Sequence, residues 1–480
     1  MAPAREFPGD TAPGEEWVSQ GIRRPWQAVD YETLTSMYQP APEYFESGWY
    51  DDPDQIARRQ LTRVRERAWQ AYRAPFFRRR FDAAGFHPSD LRTLDDLWAA
   101  PYYTVDDIRV SIDENPPWGD YQGVEPSEAL REPMRLFMSG GTTGKSRPTF
   151  YTAWDREVGG LLLARQFYMQ GLRPGDVVLN SWAYGLHNGA FAYDEAMHRW
   201  LNCVVIAAST GNVTPSRRQV ELAVAYRAAA IMTTGDYLLR LADVARDMGY
   251  DPRKDLGLRA IPNIGNRELL EDTFGLEFFA SYGFHEVQSV AVECPAHEGL
   301  HIFEDAFIVQ VVDPETGAPQ PDGELGSLCI TELYKTGSAQ FRYNIMDLAT
   351  LYPPGRCSCG SWLRRMSEFA GRGDNMVKLR GVNVWPEALG DLALTVEGTT
   401  SDYFVRAVRQ ANRDEMILSV VSDRAEGDYP AVADAVAGRL QMQLGVKITV
   451  EVVAPGTLDA WTGAGSAPKL IRFRDERKGS

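Results

Sequence analysis

Residues 139–145 read Ser-Gly-Gly-Thr-Thr-Gly-Lys and directly follow the apolar run Leu136-Phe137-Met138. Because glycine carries no Cβ, the backbone amides of such a loop can approach a ligand closely. Successive backbone N–H groups and hydroxyl side chains suit phosphate oxygens, and Lys145 adds a positive charge. Taken alone, the stretch fits either a phosphate-binding loop or an ordinary glycine-rich turn.

One position separates this loop from the P-loop of nucleoside triphosphatases. That motif reads G-x-x-x-x-G-K-[ST]. Gly144-Lys145-Ser146 fits its end, but the position five residues before Gly144 is Ser139 rather than glycine. The sequence therefore excludes a P-loop enzyme.

The length and charge of the chain limit its class. At 480 residues it exceeds the size at which single hydrophobic cores stop growing, so we expect two or more domains. A net charge of −16 excludes nucleic acid as the main partner. Basic clusters such as Arg78-Arg79-Arg80 alternate with apolar residues and predict solvated helix faces.

The sequence also points to a compartment. No apolar run approaches the length of a membrane span. Residues 1–16 lack the apolar core of a secretion signal. Five cysteines in 480 residues do not make a disulfide scaffold. We therefore expect a cytoplasmic protein without a membrane partner.

The middle of the chain alternates between two periodicities. Short apolar runs at 176–179, 203–206 and 230–232 are separated by segments with helical spacing, such as 218–228. This alternation is typical of α/β layers around a mainly parallel sheet. Further on, residues 307–312 and 325–331 are β-rich, and a Pro-Glu-Thr-Gly turn lies between them.

Five segments with chemistry-bearing residues follow one another in a distinctive order. They are the loop 139–145, Ser-Tyr-Gly-Phe-His-Glu at 281–286, Arg-Tyr-Asn-Ile-Met-Asp at 342–347, Gly-Arg-Gly-Asp at 371–374 with residues 378–384, and Lys469 with Arg472 and Asp475 behind it. The ordered set resembles the adenylate-forming enzymes. Within them, Arg-Gly-Val-Asn-Val-Trp-Pro at 380–386 is similar to the phenylacetate–CoA ligase branch. The resemblance runs from about residue 55 to 475.

The resemblance implies a fold and a domain division. We expect an α/β protein with a large multi-sheet N-terminal domain, residues 1–373, and a small mobile α+β C-terminal domain, residues 374–480. Asp374 lies where the family has its hinge. Residues 1–50 are rich in Trp, Tyr and Pro, and their role stays open.

The resemblance also implies a two-step reaction that uses ATP and Mg²⁺. A carboxylate attacks the α-phosphate of ATP to give an acyl-adenylate and pyrophosphate, and a thiol, usually coenzyme A, then takes the acyl group. Lys145 and Lys469 are expected to be catalytic, Lys469 by bridging the carboxylate and the α-phosphate. Glu286 is expected to hold Mg²⁺, and Asp347 the ribose hydroxyls. The remaining expected nucleotide contacts are Ser139, Gly140, Gly141, Thr142, Thr143, Gly144, Tyr282, Gly283 and Arg372.

The chain departs from the family pattern at three places. His285 replaces the threonine before the acidic residue, and a histidine can titrate near neutrality. Asn-Ile-Met at 344–346 replaces an Arg-Thr-Arg type run. Gly265-Asn-Arg stands where the family has Gly-Ala-Glu beside adenine. These changes leave the ATP chemistry in place and open the question of the substrate.

A second cluster suggests a structural metal. Cys357-Ser-Cys359-Gly is a close thiolate pair, and Cys294, His297 and His301 lie upstream. Three cysteines and one histidine satisfy a tetrahedral Zn²⁺ site. Relatives in the branch carry Cys before Gly-Leu-His and then Cys-x-Cys-Gly, so the resemblance favours His301 over His297. The alternative is a set of reduced cysteines and surface histidines.

The acyl pocket of this family is built partly from the segment that here is 182–189. Tyr184 and Gly185 resemble the branch, in which the tyrosine lies against an aryl ring. Trp182, Phe191 and Tyr193 fit either an aromatic wall or ordinary core. His187, with His285 and Gly265, completes the expected substrate set.

We expect ATP-dependent activation of a small aromatic acid, such as an aryl acetate or a substituted benzoate, and its transfer to coenzyme A. One alternative is an adenylate-forming enzyme with another acceptor, such as an amine, a carrier-protein thiol or nitrite. A non-catalytic nucleotide-binding protein is a third possibility. A homodimer also stays open.

Overall fold

The computed structural model describes residues 23–139, 147–262, 265–375, 377–379, 382–410, 413–464 and 470–478. Its α-helices are α1 Pro25–Ala28, α2 Tyr31–Met37, α3 Ala41–Glu46, α4 Pro53–Arg73, α5 Pro75–Ala84, α6 Val105–Glu114, α7 Ala153–Met169, α8 Gly189–Glu195, α9 Ser216–Tyr226, α10 Gly235–Asp247, α11 Arg267–Phe274, α12 Pro386–Leu394, α13 Tyr429–Leu444 and α14 Asp459–Thr462. Within these ranges, no helix has the length and apolar character needed to cross a membrane.

Strands are distributed along most of the chain. They are β1 Met134–Met138, β2 Pro148–Thr152, β3 Val177–Asn180, β4 Val204–Ala207, β5 Ala230–Met232, β6 Ser281–Phe284, β7 Gln288–Glu293, β8 Leu300–Ile302, β9 Phe307–Val312, β10 Leu325–Glu332, β11 Tyr343–Thr350, β12 Arg365–Met366, β13 Gly371–Arg372, β14 Val377–Leu379, β15 Val382–Val384, β16 Tyr403–Gln410, β17 Arg413–Val421, β18 Thr449–Val453 and β19 Phe473–Asp475.

The α/β alternation of the middle segment forms a parallel sheet. Its strand order is β4-β3-β5, and both strand pairs are parallel. Helix α7 precedes β3, and its N-terminus is capped by Thr152, whose hydroxyl accepts from the amide of Asp155. This cap satisfies one of the free N–H groups of the first turn. The fold class predicted from the sequence is confirmed here.

Two antiparallel sheets carry most of the sequence motifs. One has the order β12-β8-β7-β6 and the other β13-β11-β10-β9. Strand β6 bears Tyr282 and β11 bears Asp347, so two motifs 65 residues apart meet between these sheets. The β-rich runs expected after residue 305 correspond to β9 and β10.

The described part of the N-terminal segment belongs to the main core. Leu34, Tyr38, Tyr44 and Trp49 are buried within the largest hydrophobic cluster. Tyr44 lies under the guanidinium of Arg165, with 3.6 Å between the carbon of that group and the ring centroid. Residues from about 25 to 50 therefore pack as a layer of the large unit.

The C-terminal residues build a separate core. Their sheet has the order β18-β17-β16-β19, and its buried face packs with α12 and α13. Val405, Leu418 and Val436 are fully buried there. The boundary at residues 373/374 stays a prediction, and Asp374 lies in the short turn Gly373–Asn375 that follows β13.

Candidate active site

The two ends of the glycine-rich loop, Ser139 and Arg147, are held together at its base, which we call the loop neck. Strands β1 and β2 pair in antiparallel fashion up to Met138 and Pro148. Beyond them, the amide of Ser139 donates to the carbonyl of Arg147 at 3.1 Å, and the amide of Arg147 donates to Oγ of Ser139 at 3.3 Å. Ser139 and Arg147 thus hold the two ends of the loop together. The predicted loop residues between them lie outside the described part of the chain: Gly140, Gly141, Thr142, Thr143, Gly144 and Lys145.

Two buried donors fix the peptide that carries His285 and Glu286. The hydroxyl of Tyr151 donates to the carbonyl of His285. The ammonium of Lys335 donates to the carbonyl of Glu286 at 2.8 Å and lies 4.1 Å from the centroid of the Tyr151 ring. Burial lowers the pKa of Lys335, which is fully inaccessible to solvent. These contacts fix the backbone from which the side chain of Glu286 projects.

Glu286 is a buried carboxylate that is held in its charged form. Burial acts to raise its pKa, but electrostatic interactions with His285 and Arg147, together with hydrogen bonds from Arg147 and from the backbone, outweigh that effect and keep the pKa below its ordinary value. The Arg147 Nη2 atom lies 3.3 Å from Glu286 Oε1. Because burial lowers the pKa of His285 to about 4, this imidazole is neutral at pH 7. Arg147 is then the cation that faces Glu286 near neutrality.

Asp347 is held from both sides by side chains that the sequence had singled out. The hydroxyl of Tyr282 donates to Oδ2 of Asp347 at 2.8 Å, and Nη1 of Arg372 donates to Oδ1 at 3.1 Å. Asp347 and Arg372 are register partners on β11 and β13. Both carboxylate oxygens of Asp347 therefore face fixed donors, and the position of this group is set by the structure.

Gly283 has a steric reason to be glycine. A Cβ at this position would lie 1.7 Å from the carbonyl oxygen of Gln288 on the paired strand. The register of β6 and β7 shifts between Tyr282 and Gly283. This close approach of the two backbones determines the conformation of the turn that carries His285 and Glu286.

The predicted acyl segment is anchored to the strand that leads into the loop. The amide of Met138 donates to the carbonyl of Leu186 at 2.8 Å. The hydroxyl of Tyr184 accepts from Asn180 at 2.9 Å and donates to Asp194 at 3.2 Å. Its ring meets Phe191 edge-on, with centroids 5.2 Å apart. Tyr184 is therefore fixed in place, with its polar end satisfied.

The two histidines of the predicted substrate set lie near each other. The ring centroids of His187 and His285 are 6.3 Å apart. Nε2 of His285 is buried and has no hydrogen-bond partner within the described part of the chain. Gly185 is exposed, and open space surrounds its Cα. Gly265 lies instead against the first residue of α10, where a Cβ would come within 2.9 Å of the Gly235 Cα. The adenine contact expected at Gly265 stays a prediction.

Four potential metal ligands converge in a second cluster. The ligand atoms of Cys294, His301, Cys357 and Cys359 all lie within 4.8 Å of one another. Sγ of Cys294 lies 3.8 Å from Sγ of Cys357, and Sγ of Cys359 lies 3.6 Å from Nε2 of His301. His297 instead pairs with Glu277 and Glu293. The structure thus groups the four residues that the sequence analysis preferred.

The predicted adenylation lysine, Lys469, falls outside the described residues. Close behind it, Nη2 of Arg472 lies 2.8 Å from Oδ2 of Asp236 at the start of α10. The same guanidinium lies 4.7 Å from the centroid of the Tyr403 ring on β16. An ion pair therefore joins the segment that follows Lys469 to the large unit.

Sequence reasoning missed three residues of this site. Arg147, two positions after Lys145, was a charged residue beside the loop and could have been found by its position. Tyr151 and Lys335 gave no local signal, because their role depends on contacts across about 130 and 50 residues of chain.

The chain is similar to known proteins both in one domain and over most of its length. Residues 381–477 match the family model of the AMP-binding enzyme C-terminal domain. The chain is 33% identical over 420 residues to the phenylacetate-coenzyme A ligase of Pseudomonas putida, covering 84% of this chain and 92% of that protein. It is 31% identical to the enzyme of the same name from Aromatoleum evansii, covering 91% and 98%.

Solved structures show the same fold. The crystal structure of 2-hydroxyisobutyryl-CoA ligase in the postadenylation state with 2-HIB-AMP aligns with a TM-score of 0.76 at 24% identity, covering 92% of this chain and 91% of that chain. The same enzyme in the thioesterification state aligns with a TM-score of 0.63 at 25% identity, covering 89% and 91%.

The curated relatives and the match to the C-terminal domain family identify an adenylate-forming enzyme. More narrowly, the chain belongs to the phenylacetate–CoA ligase family. It is an AMP-forming CoA ligase, which uses ATP to convert a carboxylic acid into an acyl-adenylate and passes the acyl group to coenzyme A. Coenzyme A is thereby favoured over the amine, carrier-protein and nitrite acceptors, and catalysis over simple nucleotide binding.

Proposed function

We propose that the acid activated by this enzyme is a small aromatic carboxylic acid. The observation that carries the proposal is the aromatic wall of Tyr184, Phe191 and Phe137 beside the loop neck. The Tyr184 and Phe191 centroids are 5.2 Å apart and those of Phe137 and Phe191 are 5.7 Å apart. The first pair is edge-on and the second is tilted, and aromatic surfaces of this kind suit a further flat ring. The names of the curated relatives, phenylacetate-coenzyme A ligases, support the same substrate class.

The buried, unpaired Nε2 of His285 supports a polar contact in the same pocket. A buried polar atom without a partner costs free energy, which a ligand can recover by supplying the missing hydrogen bond. His285 is neutral at pH 7 because burial lowers its pKa to about 4. It therefore offers one donor or one acceptor, and we propose that it contacts the carboxylate or a ring substituent.

In the proposed site, Ser139 to Lys145 hold the β- and γ-phosphates and Asp347 holds the ribose. Glu286 is proposed to hold Mg²⁺, since a fixed and ionised carboxylate suits a hard cation. Mg²⁺ bound there supplies charge neutralisation for the phosphates. Lys469 is proposed to stabilise the charge on the attacked α-phosphate. The ion pair between Arg472 and Asp236 connects the chain just after this lysine to the large unit.

The four-residue cluster is proposed to hold a structural Zn²⁺. With Zn–S bonds of about 2.3 Å, tetrahedral geometry puts two sulfurs about 3.8 Å apart. The separation between Sγ of Cys294 and Sγ of Cys357 is 3.8 Å. Such a site connects the end of β7, strand β8 and the turn at 357–360. The proposed chemistry of the zinc is structural, since all four protein positions are filled.

The test is a pyrophosphate-release assay over a panel of acids. Phenylacetate, benzoate and their hydroxy derivatives are compared with aliphatic acids of similar size. We expect release with aryl acids, and acyl-CoA only when coenzyme A is added. Preference for aliphatic acids would overturn the substrate class.

Lys469→Ala then separates the two half-reactions. We expect pyrophosphate release to collapse, while transfer from preformed acyl-adenylate to coenzyme A survives. Lys254→Ala is the matched control, because this side chain is 81% exposed. Equal loss of both half-reactions would contradict the role of Lys469.

A further inference from the structure

A polar cavity of about 170 Å³ lies where the first helices pack on the large unit. Its walls come from α2, α3 and α4 and from Asp305, which precedes β9. Ser36 and Ser47 on its wall are exposed, whereas Tyr44 and Asp305 are buried. The cavity therefore leads from the surface toward the core. None of the residues proposed to bind ATP, the acid or a metal lines it.

Arg63 is a buried cation on the wall of this cavity, with 7% of its surface exposed. Its Nη1 donates to the carbonyl of Asp305, and its Nη2 donates to the carbonyl of Met37 at 2.9 Å. The guanidinium carbon lies 4.4 Å from the centroid of the Tyr38 ring. Each of these groups is neutral, and within the described part of the chain Arg63 forms no ion pair with a carboxylate.

The carboxylates beside the cavity are already paired with other arginines. Asp51 lies 2.6 Å from Arg59, and Asp305 lies 2.9 Å from Arg165. The charge of Arg63 is thus left over once these two pairs are counted. A buried charge without a counter-charge costs free energy, which an anion from solution can offset. The wall of the cavity is therefore suited to a negative ligand.

Arg63 and Tyr44 have hydrogen-bond donors available for such a ligand. A guanidinium carries more N–H donors than the two that the carbonyl contacts of Arg63 use. Tyr44 also lines the cavity, and its hydroxyl is buried with no hydrogen-bond partner among the residues that the structure describes. Burial raises the pKa of Tyr44 well above its ordinary value, so this hydroxyl keeps its proton and is able to donate.

We propose that this cavity binds a small tetrahedral oxyanion of the phosphate or sulfate type against Arg63. Its volume equals that of about five or six water molecules in the liquid, at about 30 Å³ each, which leaves room for one such ion. A planar guanidinium matches phosphate oxygens through paired N–H donors. Because Arg63 and Tyr44 lie on different helices, an ion with oxygens in several directions suits them better than a planar carboxylate. The bound ion connects α3 to α4.

A purely structural role for Arg63 makes a different prediction. If Arg63 only holds the carbonyls of Met37 and Asp305 and water fills the cavity, its replacement lowers stability equally with and without phosphate. If the cavity binds an oxyanion, phosphate stabilises the folded wild type by mass action and loses this effect in the variant. The dependence on phosphate at constant ionic strength is therefore the discriminating variable.

The experiment measures the binding of phosphate, sulfate, acetate and chloride by calorimetry at constant ionic strength. Saturating α,β-methylene-ATP with Mg²⁺ keeps these ions out of the proposed nucleotide site, and its carbon link prevents adenylation. The proteins are the wild type, Arg63→Gln, Arg63→Lys and the control Arg58→Gln, which is exposed on the same helix. We expect Arg63→Gln to weaken phosphate binding about tenfold or more, as loss of a hydrogen bond from a charged group implies. Arg63→Lys retains a point charge and should lie between, and Arg58→Gln should match the wild type.

A crystal soaked in arsenate, with the same nucleotide analogue present, gives a second readout that needs no variant. Arsenic scatters anomalously, and we expect its signal beside Arg63. The proposal is overturned if phosphate and sulfate bind the wild type no better than chloride or acetate, if Arg63→Gln binds phosphate as the wild type does, or if no arsenate lies in the cavity. Should Arg63→Gln fail to fold, the wild-type titrations and the arsenate position still decide. No acid substrate takes part, so the result is independent of the proposed substrate class.

Discussion

Replacing Asp347 with asparagine tests the proposed contact between this carboxylate and the ribose of ATP. The carboxylate is held by Tyr282 at 2.8 Å and by Arg372 at 3.1 Å, so the isosteric amide can occupy the same position. What changes is the charge of the acceptor that, in the proposed site, faces the two ribose hydroxyls. We expect the KM for ATP to rise and the KM for coenzyme A to stay the same.

The size of the effect follows from the two hydrogen bonds. A hydrogen bond to a charged group contributes about 1.5–3 kcal/mol and a neutral one about 0.5–1.5 kcal/mol. Losing the charge therefore costs about 1–1.5 kcal/mol per hydroxyl and about 2–3 kcal/mol for both. At about 1.4 kcal/mol per factor of ten, the KM for ATP should rise about 30- to 150-fold.

2′-Deoxy-ATP separates this mechanism from a general disturbance of the site. The wild type should bind it less well than ATP, because one hydrogen bond to Asp347 is missing. Asp347→Asn should discriminate less between the two nucleotides, since the acceptor is already weakened. The control is Asp322→Asn, which removes a carboxylate from an ion pair with Arg364 outside the site. A contact between Asp347 and the ribose would be contradicted by either of two results. One is a KM for ATP in Asp347→Asn within about threefold of the wild type, and the other is a preference for ATP over 2′-deoxy-ATP as strong as that of the wild type.

Three further results are expected. Because the folded-state pKa of His285 is lowered to about 4, the unfolded chain takes up that proton first as the pH falls. The free energy of unfolding of the wild type should therefore fall as the pH drops from about 6.5 to about 4. In His285→Thr this fall should be smaller by up to about 3 kcal/mol, as measured by urea unfolding at a series of pH values. Asp305→Asn should leave the fully buried Arg165 without its ion pair and lower the free energy of unfolding by about 3–5 kcal/mol, seen as a shifted urea midpoint; a shift below about 1 kcal/mol would contradict this. Cys357→Ser should abolish bound zinc in elemental analysis while Cys203→Ser, outside the cluster, retains it; zinc in both would refute the ligand set.

The fold could be predicted because its signals are local. The alternation of apolar runs and helical segments around Val178 and Ile231 specifies a parallel sheet without reference to distant residues. Tyr282 and Asp347 were identified from the order of motifs, and the structure brings them within hydrogen-bond distance. Here an ordered set of short motifs carried more information than any single one.

The remaining parts of the site depend on contacts that no local pattern encodes. From the sequence alone, Lys335 would be expected at the surface, yet it is fully buried and donates a hydrogen bond to the carbonyl of Glu286. Arg147 reads as one more basic residue, and only the tertiary structure puts its guanidinium on Glu286. From the sequence alone, Asp236 would be expected only to stabilise the first turn of a helix, whereas its partner Arg472 lies 236 residues away. Pairings of this kind follow from the packing of whole units.

The most direct measurement follows an oxygen atom. The enzyme is given ATP, coenzyme A and phenylacetate labelled with ¹⁸O in both carboxylate positions, and the products are analysed by mass spectrometry. We expect AMP to carry one ¹⁸O, because the carboxylate attacks the α-phosphorus and leaves one oxygen there when the thiol takes the acyl group. Label in pyrophosphate or inorganic phosphate, or unlabelled AMP alongside acyl-CoA, would contradict it.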